Sequence, residues 1–422
     1  MPHPRPLLLP APAEPFPGWI NVSEVPGELG GLLLVLYRNV HVWAETTPPE
    51  RGRLFAGGDD VCAQLDRLAP AEPLAGALRE LCELRGAPER ARPAAVSRAC
   101  DTVSEWAEGE GHAGTAVAWA RAAASTYPPN VAAAYRVGIL ARRRADYPTA
   151  EAWLQHAGAM GRRHGDWYAY ALALNSLGTL HVQRGEFALA RSHLARALRA
   201  AQRPRGRVQG GRKRLRVLEG SILHDLMTVA VYQDDFREAE KFAAEAFERM
   251  RTGHRRLPRL AHDVAGLWME RGHFGRALQV IEAVLPLFHN PQARVRVQTN
   301  LLRAAGAAGK ESVFDRHSSQ AWALLEAMGT EAPAASWTCL AHGAASLRRW
   351  DLAAQAAMQA MAAADARQET DQLAEIPALL DSIRRRRYAD MKAESASELE
   401  ERTARTLAAG LVESLHAMRA GE

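Results

Sequence analysis

A motif recurs along this 422-residue chain every 38 to 40 residues. Its clearest copy holds Leu177-Gly178, Gly185-Glu186-Phe187, Ala190, Leu194 and Ala197. A second copy places Gly138, Tyr147, Ala150, Leu154 and Ala157 at the same offsets, and a third has Gly272-His273-Phe274, Ala277 and Ile281. A fixed period of this size belongs to stacked supersecondary units, each too small to bury its apolar face alone. The small residue near the start of the second helix in each unit is Ala116, Ala150, Ala190, Ala239, Ala277 and Ala353, giving steps of 34, 40, 49, 38 and 76. The last step is twice 38, so a degenerate unit is expected over about residues 296–331. An aromatic stands three residues before the alanine in five units: Tyr147, Phe187, Phe236, Phe274 and Trp350. The small Gly or Ala of the first helix lets the second approach, and the aromatic fills the gap at the turn.

The chain is rich in Ala and Leu and poor in β-branched runs, so helix is expected almost throughout. The expected fold is all-α, a right-handed α-solenoid of stacked helix-turn-helix repeats with an N-terminal helical region and a C-terminal capping helix. Residues 1–26 hold eight prolines and read as a disordered tail. Residues 27–96 read as the helical region, with helices at Glu28–Glu45, Glu50–Ala56, Asp60–Leu68 and Leu74–Leu84. Residues 97–370 read as about seven repeats, and 371–422 as capping helices. In the last helix, Leu399, Leu407, Leu411 and Leu415 fall on one face, which suits a cap or a homodimer contact.

The small, aromatic and Ala positions, best matched over Arg162–Gln202, resemble the tetratricopeptide repeat family. Units of about 40 residues look similar to its bacterial peptide-sensing regulators. The resemblance implies that the first helix of each unit lines a concave groove. Unit positions 2, 5, 9 and 12 share one stripe by helical period. Position 5 reads Tyr135, Asn175, His224, His262, Asn300 and Thr338, all polar or amphipathic. Position 9 adds Ile139, Thr179, Thr228, Gly266, Ala304 and His342, and positions 12 to 13 add Arg142, Arg143, Gln183, Tyr232 and Glu270. The expected peptide groove is Tyr135, Arg142, Asn175, Thr179, His224, Thr228, His262, Asn300, Thr338 and His342. Asn offers a donor and an acceptor together, so it can pair with a peptide backbone. By resemblance, Asn175, Asn300 and Arg142 match the residues that hold backbone or carboxylate in peptide-binding members.

No nucleophile–base signature occurs, and no enzyme activity is expected. Gly306-Ala-Ala-Gly309-Lys310-Glu311 fails as a phosphate loop, because Ala304 stands at the first glycine place and Glu311 at the Ser/Thr place. It reads as a turn between helices. His181 and His193 read as surface or groove residues of repeat helices. Cys62, Cys82, Cys100 and Cys339 lack metal-ligand spacing and suit a reducing, cytoplasmic setting, with no metal, cofactor or membrane span expected. The formal charge is +5. Its densest stretch runs from Arg199 to Arg216 with eight basic residues and no acidic one. Arg203, Arg205, Arg207, Arg212, Lys213 and Arg214 form an expected anion-binding patch. Three functions follow. The first is capture of a protein or peptide partner in the groove. The second is peptide-responsive signalling or transcription regulation, with the N-terminal region as effector. The third is a nucleic-acid scaffold working through the basic loop.

Overall fold

The computed structural model describes residues 23–54, 61–68, 70–203, 211–251 and 253–421, and among these every regular element is helical. Most of the proline-rich stretch therefore lies outside the described residues. The chain divides into two compact units, Met1–Arg207 and Val208–Glu422.

The first unit opens with α1 (Gly27–Glu45), α2 (Pro48–Leu54), α3 (Val61–Leu68) and α4 (Leu74–Gly86). Three hairpins follow: α5 (Pro93–Gly109) with α6 (Ala113–Thr126), α7 (Val131–Arg143) with α8 (Tyr147–Arg163), and α9 (Trp167–Gln183) with α10 (Phe187–Ala201). The opening helices share one apolar core with the first hairpins, running from Val25 to Ala173. Tyr37 of α1 meets Trp119 of α6 edge to face at 5.3 Å. The Glu24 carboxylate accepts from the N–H groups of Gly114 and Thr115 at 2.9 and 2.7 Å. It thereby satisfies two free donors at the α6 N-terminus and complements the helix dipole.

The second unit has four hairpins. They are α11 (Gly211–Tyr232) with α12 (Phe236–Met250), α13 (Leu257–Glu270) with α14 (Phe274–Val284), α15 (Pro291–Ala307) with α16 (Glu311–Met328), and α17 (Ala334–Ser346) with α18 (Trp350–Arg367). Two further helices, α19 (Thr370–Arg384) and α20 (Glu398–Ala420), complete it. The degenerate unit is the α15–α16 hairpin. Helix α19 packs on α18, while α20 returns to lie on α12, α13 and α14.

All seven hairpins share one turn. Three residues separate the paired helices, and the middle one is left-handed: Gly111, Ala145, Gly185, Asp234, Gly272, Gly309 and Arg348, with φ between 56° and 82°. Four are glycine, which takes this conformation without a Cβ clash. The Ala at the fourth position of each second helix (Ala116, Ala150, Ala190, Ala239, Ala277 and Ala353) is fully buried. Gly138 and Gly178 face the second helix from the first. A Cβ there would come within 2.7 and 2.5 Å of the Leu154 and Leu194 side chains. The degenerate hairpin reverses this size pattern. Phe314 takes the alanine place and is buried, while Gly306 and Gly343 let α15 and α17 touch backbone to backbone.

Candidate functional site

The first helix of each hairpin is here called an A helix. Within each compact unit, side-chain hydrogen bonds at or beside position 5 link some neighbouring A helices. In the first unit the Tyr135 hydroxyl lies 3.0 Å from Ser176 Oγ, one residue beyond position 5 of α9. Asn175 itself is buried, and its Oδ1 has no partner. Arg142 donates to Gln183 Oε1 at 3.2 Å. Thr179 donates back to the Asn175 carbonyl within its own helix. Arg143 pairs with Glu108, so Arg142, matched by resemblance to residues that hold backbone or carboxylate, and its neighbour both have protein partners.

In the second unit the pairs join into a line. His224 Nε2 meets Asp263 Oδ2 at 2.8 Å, and His262 Nδ1 meets Asp263 Oδ1 at 3.4 Å. Asn300 Nδ2 is 3.0 Å from His262 Nε2. The Cys339 thiol donates to Asn300 Oδ1 at 3.3 Å. Thr338 donates to Gln372 Oε1 of α19 at 3.3 Å. One consistent proton order runs Cys339, Asn300, His262, Asp263, with His224 donating to the same carboxylate. Thr228 donates to the His224 carbonyl, as Thr338 does to that of Ala334. Burial works against the Asp263 charge, but hydrogen bonds from His224 and His262 hold its carboxyl well below the usual range. Burial pushes the Cys339 thiol up, against the pull of Arg303. A raised thiol pKa disfavours the nucleophilic thiolate. The expected groove residues His224, His262, Asn300 and Thr338 thus pair across helices, and His224 is only 3% exposed.

At the other end of these A helices an extended stretch of chain crosses the surface. After α19 the chain leaves helix at Arg385 and re-enters it at Glu398. Tyr388 Oη sits 2.9 Å from His342 Nδ1 and donates to Asp390 at 3.1 Å. Ser346 donates to Asp390 Oδ1 at 2.7 Å. Farther on, the Glu394 N–H donates to the Arg271 carbonyl at 3.0 Å, and Arg271 Nε donates to Glu394 at 2.9 Å. Burial, with help from the Arg303 charge, lowers His342 from 6.5 to about 4. Burial beside Asp390 pushes the Tyr388 phenol up. Thr338, His342 and Tyr388 line a cavity of about 430 Å³ with Ile376 and Leu379 of α19. A larger crevice of about 1140 Å³ lies between α14 and α20, and it holds none of the expected groove residues.

Sequence reasoning missed Asp263, Cys339, Tyr388, Asp390 and Arg271 as members of this network. Asp263 and Cys339 each follow a position-5 residue, so extending the stripe by one residue would have found them. It also read His181 as a surface or groove residue. That ring is buried, 2.6 Å from Glu186 and stacked on His193 at 5.0 Å.

Of the six residues of the expected basic patch, the side chains of Arg203 and Arg214 are described. Arg203 stacks over the Trp167 ring at 4.1 Å, a cation–π contact, and Arg214 is exposed. Arg216 donates to the Glu248 carbonyl. Arg205 and Arg207 lie outside the described residues, and so do the side chains of Arg212 and Lys213 within α11. Among the described residues no group of three or more His, Cys, Asp or Glu could hold a metal ion, and no helix is long and apolar enough to cross a membrane.

No curated protein matches the sequence. Among solved structures, BtubC from P. vanneervenii is 20% identical, with 54% of this chain and 93% of that one covered and a TM-score of 0.42. A tetratricopeptide repeat protein from Parabacteroides merdae is 14% identical, with 68% and 98% covered and a TM-score of 0.42. A Rap protein complexed with competence and sporulation factor is 11% identical, with 84% and 98% covered and a TM-score of 0.35. Residues 130–203 match the model of the tetratricopeptide repeat, a segment that coincides with hairpins α7–α8 and α9–α10. Over that segment the chain is similar to the tetratricopeptide repeat.

Proposed function

We propose that this chain is a non-enzymatic interaction protein that holds an extended segment of a protein partner against the A helices of its second unit. One observation carries the reading. That face is already crossed by an extended stretch of the chain itself, held by His342, Ser346 and Arg271. Toward the opposite end of the same helices, the polar line from His224 to Cys339 ties consecutive A helices together. A face whose consecutive helices are tied by side-chain hydrogen bonds is stiffer, and a stiff groove spends less free energy on ordering when a partner binds.

A photo-crosslinking amino acid separates this face from others. Placed at Tyr232 or Arg259, both exposed on A helices, it is expected to give protein adducts in cells. Placed at Met358, exposed on the B helix α18, it is expected to give none. Adducts from position 358 alone would overturn the assignment.

A further inference from the structure

We propose that residues 387–397 are a tethered self-ligand. The partner of the second unit is then an extended segment that displaces them by presenting the same chemistry. That chemistry is a phenol, a carboxylate two residues on, and a second carboxylate four residues later. The inference rests on the reading above in taking the A helices as the binding face.

Four observations carry it. First, the strap is held at discrete anchors. Tyr388, Asp390 and Glu394 make the side-chain contacts, while Ala389, Met391, Lys392 and Ala393 between them are exposed. Little apolar surface opposes its departure. Second, departure strands no buried charge. Arg271 is 3% exposed but keeps Glu240 at 2.9 Å when Glu394 leaves, and Ser346 keeps its bond to the His342 carbonyl at 2.8 Å. A buried arginine without a carboxylate would make release prohibitive.

Third, the receiving surface is shaped for backbone. Gly272 has φ +75°, and a Cβ there would lie 2.8 Å from the backbone of Ala393. A chain can therefore come within van der Waals distance at that point, and its amide can reach the Arg271 carbonyl. Fourth, α20 is anchored on its own. Leu407, Leu411 and Leu415 are buried, Arg276 and Arg237 pair with Glu401 and Glu400, and Ser397 and Glu400 form a capping box. The strap can lift while the helix after it stays docked. The anchors select the partner's chemistry. His342 is neutral at physiological pH and bonds a phenol, and Ser346 and Arg271 bond carboxylates.

A tether of this length supplies the strap at an effective concentration on the order of millimolar, so a free peptide competes poorly until the strap is weakened. The test uses the full chain and a fluorescent synthetic peptide of residues 387–397. The triple variant Tyr388→Ser, Asp390→Ser, Glu394→Ser is expected to bind this peptide at least tenfold tighter than the wild type. A peptide with Phe, Asn and Gln at the three anchor places is expected to lose that gain. Equal affinity for both proteins, or for both peptides, overturns the proposal. If the triple variant does not fold, hydrogen exchange on the wild type decides, with peptide supplied well above that effective concentration. Excess peptide should speed exchange at the Glu394 amide and leave α20 unchanged, and no acceleration overturns the proposal. Should the peptide fail while crosslinks from Tyr232 or Arg259 persist, the self-ligand is wrong and the binding face stands; loss of both removes both.

Discussion

Asn300 shows what a single position-5 residue does. Its Nδ2 reaches His262 and its Oδ1 accepts from Cys339, so one side chain joins α13, α15 and α17. Asn300→Ala removes both bonds and leaves a histidine nitrogen and a thiol without them. Unsatisfied groups of this kind cost about 1–3 kcal/mol. Urea unfolding should show a loss in that range, and an unchanged midpoint would mean that water restores the line. A second prediction concerns the turns. Arg348 has φ 59° and is exposed, in a place where four other hairpins have glycine. A left-handed non-glycine residue costs roughly 1 kcal/mol or more, so Arg348→Gly should stabilise by about that amount, less the added chain entropy of glycine. Thermal melts of the two proteins check the sign. The polar character of position 5 was legible in the sequence because helical period alone assigns a stripe. The partners were not, since they depend on how consecutive A helices are staggered, which only packing decides.

The hairpins were legible as elements for a local reason. Each puts a left-handed residue, a helix start and a buried alanine within six residues, so the signal survives in one sequence. The α15–α16 hairpin lacks it because Phe314 stands where the other hairpins have alanine. Its compensation is remote: Gly343, on the next A helix, would bring a Cβ to 3.0 Å from the Phe314 ring and 2.3 Å from the Leu302 carbonyl. A large residue and a distant glycine trade volume, and a period search cannot see the exchange. The contact sets a ranking among glycines. A Cβ at Gly306 would lie 2.2 Å from a backbone carbonyl, which cannot turn aside. At Gly178 the nearest atom belongs to the Leu194 side chain, which can change rotamer. Overpacking typically costs 1–3 kcal/mol, and more where the backbone must move. Gly306→Ala should therefore exceed Gly178→Ala in lost stability, by about 1 kcal/mol or more on that scale. Equal losses in chemical denaturation would refute the account of α15 and α17 in rigid contact. The strap was illegible for a different reason: it has no period, and its anchors point to residues 46, 44 and 123 positions away.

At the scale of the whole molecule, burial makes the chain sensitive to acid. His41, His156, His193, His254, His273, His317 and His342 all bind protons more weakly than a free histidine, in each case chiefly because they are buried. The unfolded chain takes up those protons first, near the ordinary 6.5, so stability falls as pH drops below that value. For His342 the folded ring holds out to about 4, which sets the window in which its contribution is lost. Above 6.5 both states are neutral and the contribution is whole; below 4 both are charged and the loss levels off. Each tenfold difference in proton affinity is worth about 1.4 kcal/mol. His342 thus accounts for up to ~3 kcal/mol, reduced by screening because its ring is partly exposed. Carboxylates act in the next window down. Asp263 and Glu401 titrate below their ordinary range, Asp263 through His224 and His262 against an opposing burial cost and Glu401 through Arg276, so their stabilisation is lost only as pH falls past about 4. His342→Asn keeps a donor for the Tyr388 hydroxyl and removes the titration. Its unfolding midpoint should fall less steeply than that of the wild type between pH 6.5 and 4.5, while both lose stability alike below 4. Parallel curves through the upper window would show that the ring does not carry the proton uptake, and would shift it to the other buried histidines.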